Sequence, residues 1–92
     1  MIKNDRQNIS ITLKKADSLL TKIQRMVDED KYCIDIIQQN LAVIGLLKSA
    51  NISLLGKHLN GCVKDAIKAK DAKRVDEIMD ELLKIIKTAQ NK

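Results

Sequence analysis

Three residues of this chain could hold a soft metal ion: Cys33, His58 and Cys62. Two thiolates and one imidazole suit Cu(I), which accepts a trigonal set, whereas structural zinc normally completes a tetrahedron with a fourth ligand. No fourth protein ligand is evident, and with His58 the sole histidine, sites needing several imidazoles are disfavoured. The plainer reading makes both cysteines small buried hydrophobes and His58 a solvated residue. Spacing alone leaves both readings open.

Positioning these ligands falls to a long central helix, expected over about residues 31–68. Apolar residues recur there at helical intervals through Ile34, Ile37, Leu41, Ile44, Leu47, Leu55, Leu59 and Ala66, with no proline. On it His58 and Cys62 stand at i and i+4, on one face and one turn apart. Gly45, Gly56 and Gly61 each cost about 1 kcal/mol in a helix, but the apolar phase from Leu55 through Leu59 to Val63 does not change across them. Cys33 lies twenty-five positions before His58 (58 − 33), roughly 38 Å along the axis at about 1.5 Å per residue. A three-ligand site therefore has to be shared by two antiparallel chains, Cys33 of one meeting His58 and Cys62 of the other, twice per twofold dimer.

The flanking helices follow the same periodicity. Helix one is expected over about 6–29, striped by Ile9, Leu13, Ala16, Leu20, Ile23 and Val27, with Lys14, Lys15, Ser18, Lys22, Arg25 and Asp28 on its other face. The run Asp28-Glu29-Asp30-Lys31 reads as the turn, with Asp30 a candidate N-cap of helix two. Helix three, about 72–89, carries Val75, Ile78, Met79, Leu82, Leu83 and Ile86 behind Asp71 as N-cap, and the ends, about 1–5 and 88–92, read as frayed or disordered. This predicts a single all-α domain, residues 1–92, whose helix-one and helix-two hairpins pair into an antiparallel four-helix-bundle dimer.

Ninety-two residues with no Trp or Phe and one Tyr make a thin core for a lone chain, which favours a homo-oligomer. A formal net charge of +5 favours an acidic partner such as DNA. On helix one the lysines are either a solvated face or a ridge contacting phosphates. No apolar run suits a signal peptide or a membrane span, so the expected compartment is the cytoplasm, with the cysteines reduced. Paired acid and base groups, a phosphate loop and a serine-nucleophile motif are lacking, so an enzyme is not expected.

The segment IQRMVDEDKYCIDIIQQNLAV and the block HLNGCVKDAI resemble the CsoR/RcnR family of bacterial metal-sensing and thiol-sensing repressors, over nearly the whole chain. The resemblance implies an all-α protein assembling as a dimer of dimers. Its Cys, His, Cys pattern is that of the Cu(I)-sensing branch; persulfide sensors lack the histidine, formaldehyde sensors lack the second cysteine, and nickel sensors add N-terminal histidines. The same resemblance makes Tyr32 and a helix-three glutamate supporting residues outside the coordination sphere. That glutamate is Glu77 when the preceding loop is taken as one residue shorter. The stretch TLKKADSLLTK departs from the family. Thr12 stands where an arginine is common, Ser18-Leu19 replaces a Gly-Gln pair, and Ser49 and Ile52 occupy positions where copper sensors can carry arginine. Lys14, Lys15, Lys22 and Lys48 remain as phosphate contacts, without the bidentate fork that reads guanine.

The expected function is a Cu(I)-sensing transcriptional repressor, bound to operator DNA as the apo-protein and released by Cu(I). One alternative is a Cu(I)-binding or buffering protein that has lost specific DNA binding, which the missing arginines favour. Another is a thiol or persulfide sensor using Cys33 and Cys62, which His58 argues against.

Overall fold

The computed structural model describes residues 3–90, with side chains from residue 6 to 89; among these the chain is helical, with no strand. Helix α1 spans Lys3–Asp28 and α2 spans Cys33–His58. A π-helical stretch, Leu59–Val63, leads on into the short α3, Lys64–Lys68, and α4 spans Ala72–Gln90. The backbone stays right-handed helical at His58, Val63 and Lys64, so α2, the π stretch and α3 form the one long helix expected from the sequence. Both ends are more helical than expected, since residues 3–5 open α1 and residues 88–90 close α4; positions 1, 2, 91 and 92 lie outside the described residues.

The chain divides into two compact units, Met1–Gly56 and Lys57–Lys92. In the first, α1 packs on α2 through Ala16, Ile23 and Val43, with Leu19, Ile36 and Leu46 against them. Spacing explains this seam: Ile9, Ala16 and Ile23 recur every seven residues, as do Ile36, Val43 and Ala50, and a seven-residue step drifts only about 20° around a helix.

Only half of the expected apolar stripes serve this seam. Leu13, Leu20 and Val27 of α1 stay exposed, as do Ile34, Ile37, Leu41, Ile44 and Leu47 of α2. Ile37 and Ile44 each follow a core residue by one position, hence lie about 100° round α2 from the seam. Helix α2 therefore has two apolar faces, of which the described residues cover one, whereas Leu13, Leu20 and Val27 each follow a seam residue of α1 by four positions, about 40° round, and widen its stripe beyond the covered part.

The turn corrects one expectation. Asp30 does not cap α2; it sits at φ 55°, the left-handed residue that ends α1. Its amide donates to the Val27 carbonyl at 3.1 Å, and the Lys31 amide donates to Met26 at 2.9 Å, the paired bonds of a Schellman motif. Aspartate tolerates this conformation better than most residues, which is why the acidic run suits a helix stop as well as a start. The carbonyl of Tyr32 opens α2 by accepting from the Asp35 and Ile36 amides at 3.0 and 3.2 Å.

In the second unit α3 packs on α4, with Ala66 and Ile78 buried, the latter at 1 % exposure. Val75 and Leu82 are half-buried, whereas Met79, Leu83 and Ile86 stay exposed. Another Schellman turn, with Lys70 at φ 55°, ends α3: Lys70 donates to Ile67 at 3.0 Å and Asp71 to Ala66 at 3.1 Å. Asp71 then caps α4 as expected, its Oδ1 accepting the Arg74 amide at 3.0 Å and its carbonyl the Val75 amide at 3.0 Å.

Candidate metal centre

Cys33 is the first residue of α2, and its thiol is free and exposed. Its position comes from the turn just described, which makes Tyr32 the cap and leaves that tyrosine 69 % exposed beside it. Counting by α-helical steps, Cys33, Ile37, Ile44 and Leu47 fall on one face, so the thiol stands at the head of the apolar face that the hairpin leaves uncovered.

His58 is the last residue of α2 and is half-buried; Cys62, free and exposed, lies inside the π stretch. The π winding is a local feature that the apolar pattern did not reveal. Such stretches recur at functional sites, and here it spans the residues between His58 and Cys62 together with Cys62 itself. A π turn is wider than an α turn, so residues four apart fall slightly short of a full turn instead of slightly past it. Both windings keep His58 and Cys62 on one side. Gly61 sits in the stretch with open space where a Cβ would stand, so no close backbone contact demands a glycine there.

Among the described residues, no three side chains of the His, Cys, Asp and Glu types come together within the chain to hold a metal ion. The donor types of Cys33, His58 and Cys62 fit a soft cation.

Glu77 lies exposed on α4, where its Oε2 accepts from the Arg74 guanidinium at 3.2 Å; Arg74 also reaches Glu81 at 3.7 Å. This pairing was not among the expectations from sequence, although the i, i+3 step from Arg74 to Glu77 carries its signal. These side chains are 44–53 % exposed, so the ion pairs orient Glu77 more than they stabilise the fold.

Lys14, Lys15 and Lys22 are exposed on α1 and span about 100° of it, on the side away from Ala16 and Ile23. Lys48 is exposed on α2. Lys14 also lines a cleft of ≈ 420 Å³ with Arg6, Ile9, Leu13 and Leu54. Thr12, at the position where an arginine was anticipated, is half-buried and donates its hydroxyl to the Asn8 carbonyl at 3.0 Å. Ile52, at another, is 72 % exposed and uncharged. None of the described helices is long and apolar enough to cross a membrane.

A family profile described as "Metal-sensitive transcriptional repressor" matches residues 5–88. The copper-sensing transcriptional repressor CsoR of Bacillus subtilis is 35 % identical over 85 residues, covering 91 % of this chain and 84 % of that protein. The copper-sensing transcriptional repressor RicR of Mycobacterium tuberculosis is 39 % identical over 62 residues, covering 67 % of this chain and 65 % of that one. Among solved structures, the copper-sensing repressor CsoR with Cu(I) from Geobacillus thermodenitrificans NG80-2 superposes with a TM-score of 0.86 at 31 % identity, covering 99 % of this chain and 92 % of that one.

Proposed function

This chain belongs to the metal-sensitive transcriptional repressor family, and from that premise we propose that it is a Cu(I)-responsive repressor, bound to operator DNA as the apo-protein and released by Cu(I). One observation carries the proposal: a free cysteine heads the uncovered apolar face of α2, with a histidine and a second free cysteine at and just beyond the other end of the same helix. Twenty-five α-helical steps amount to about seven turns, short by only about 20°, so Cys33 and His58 share a face along α2. Two copies joined antiparallel through that face set Cys33 of one beside His58 and Cys62 of the other.

The hairpins then form a four-helix bundle, and two such dimers assemble into a tetramer. Cys33 of one chain with His58 and Cys62 of the other would hold Cu(I), which would supply soft cross-links between the chains. Tyr32 and Glu77 support the ligands from outside the coordination sphere; Glu77 Oε1 is left over for that task because Oε2 takes Arg74. Lys14, Lys15, Lys22 and Lys48 contact phosphates. Release by Cu(I) requires that the copper-bound conformation bind DNA less well, and by linkage that DNA weaken Cu(I) binding by the same factor. We read the protein as a regulator acting in the cytoplasm, with no catalytic turnover.

A Cu(I)-binding or buffering protein without sequence-specific DNA binding is the second reading. It is favoured by Thr12, whose hydroxyl turns back onto its own helix, and by the uncharged Ile52. Gel-shift titrations of the DNA upstream of its own gene against scrambled DNA, with and without Cu(I), separate the two. A preference for the native DNA that Cu(I) abolishes supports the repressor; equal affinities unaltered by Cu(I) leave the buffering protein.

A further inference from the structure

The corner between α3 and α4 concentrates charge. From Lys64 to Arg74 there are five cations against Asp65 and Asp71, a formal +3 (5 − 2) out of +5 for the whole chain. Lys64 and Lys68 stand four apart on α3, each two positions from the buried Ala66 and so about 160° round the helix from the packed side. Lys64, Lys68, Lys70 and Lys73 are all exposed, and among the described residues none of their ammonium groups is paired with a carboxylate. Arg74 differs, being taken up by Glu77 and Glu81, and Asp71 is occupied as the cap of α4.

Two of these lysines sit where the backbone disfavours them. Lys70 is left-handed at φ 55°, at the helix-ending position that glycine or asparagine fills at least expense. Lys73 lies in the first turn of α4, where the helix dipole favours anions and the Asp71 cap is the one carboxylate, so a cation stands at the positive end of a helix. A solvated surface needs neither arrangement, and sites that hold residues against local preference are where function is sought.

We infer that the α3–α4 corner, through Lys64, Lys68, Lys70 and Lys73, is a further surface for the phosphate backbone of duplex DNA, separate from the lysines of α1 and α2. The inference rests on the repressor reading. It supplies the affinity that the arginine-poor α1 lacks, without base specificity, because a lysine contacts phosphate as a point charge. Packing of α3 on α4 presents the corner as a preformed ridge.

The test titrates the full-length protein against its native upstream duplex by fluorescence anisotropy between about 50 and about 200 mM salt, where each phosphate contact weakens binding about 3.5-fold. The variants are Lys70→Gly and Lys68→Gln/Lys70→Gly/Lys73→Gln. Each lost contact should flatten the logarithmic salt slope by about 0.9, in the triple variant more than in the single one, with Cu(I) affinity in a chelator competition unchanged. Lys70→Gly should also raise the thermal unfolding midpoint, since glycine relieves the left-handed lysine. A folded triple variant with the parent's salt slope overturns the inference and leaves the repressor reading standing; a lowered midpoint for Lys70→Gly overturns its backbone argument. A parent that binds no duplex at any salt overturns both.

Discussion

Leu41→Ala should dissociate copies of this chain without harming the chain itself. Leu41, four positions after Ile37 and so about 40° round α2 from it, borders the uncovered apolar face; it lies outside the seam with α1 and is 59 % exposed, so its truncation leaves the packing around Val43 untouched. Alanine is also the better helix former. Burying a CH₂ group contributes about 0.8 kcal/mol, so the three carbons removed are worth about 2.4 kcal/mol when fully covered. Scaling by the 59 % still to be covered gives about 1.4 kcal/mol per copy and, by twofold symmetry, about 2.8 kcal/mol per dimer. The dimer dissociation constant should rise about 100-fold. Sedimentation equilibrium over a protein dilution series reads this directly, and circular dichroism should show unchanged helix content. Because the proposed metal site needs two chains, Cu(I) affinity of the variant should become dependent on protein concentration. A dissociation constant within about threefold of the parent's would refute the assignment of this face to the partner.

Other perturbations separate the fold from its proposed contacts. Ile78→Ala, at the most buried side chain of the second unit, should lower stability by about 2–5 kcal/mol in denaturant titration. Asp71→Ala removes the acceptor of the Arg74 amide and should cost about 1 kcal/mol, read as a lower unfolding midpoint. Lys14→Ala/Lys15→Ala should weaken binding to native and scrambled DNA alike, flattening the salt slope by about 0.9 per lost contact, with Cu(I) affinity little changed.

The three-helix architecture was legible because apolar residues at three- and four-residue steps persist through each helix, and because Asp71 precedes α4 where a cap belongs. Which apolar stripe each helix buries was not. Ile36 with Val43 and Ile37 with Ile44 are equally periodic, and only the partner helix decides which pair meets it. Asp30 misled for a similar reason, since an aspartate suits a helix cap and a left-handed stop alike. The π winding left no mark because Leu59 and Val63, four apart, share a side in either form. As for the site, residue type and spacing point to Cys33, His58 and Cys62, but among the described residues of one chain no three such side chains come together, so the proposed sharing between chains has no geometry to read there.

That sharing is the central claim, and complementation tests it most directly. Cys33→Ala chains retain His58 and Cys62, whereas His58→Ala/Cys62→Ala chains retain Cys33. Each homodimer should bind Cu(I) weakly in competition with a Cu(I) chelator. Verified heterodimers should recover one tight Cu(I) per dimer, half the parent's capacity, because one of the two sites regains all three ligands. Heterodimers that recover none, or a Cys33→Ala homodimer that binds Cu(I) as tightly as the parent, would contradict a site built from two chains.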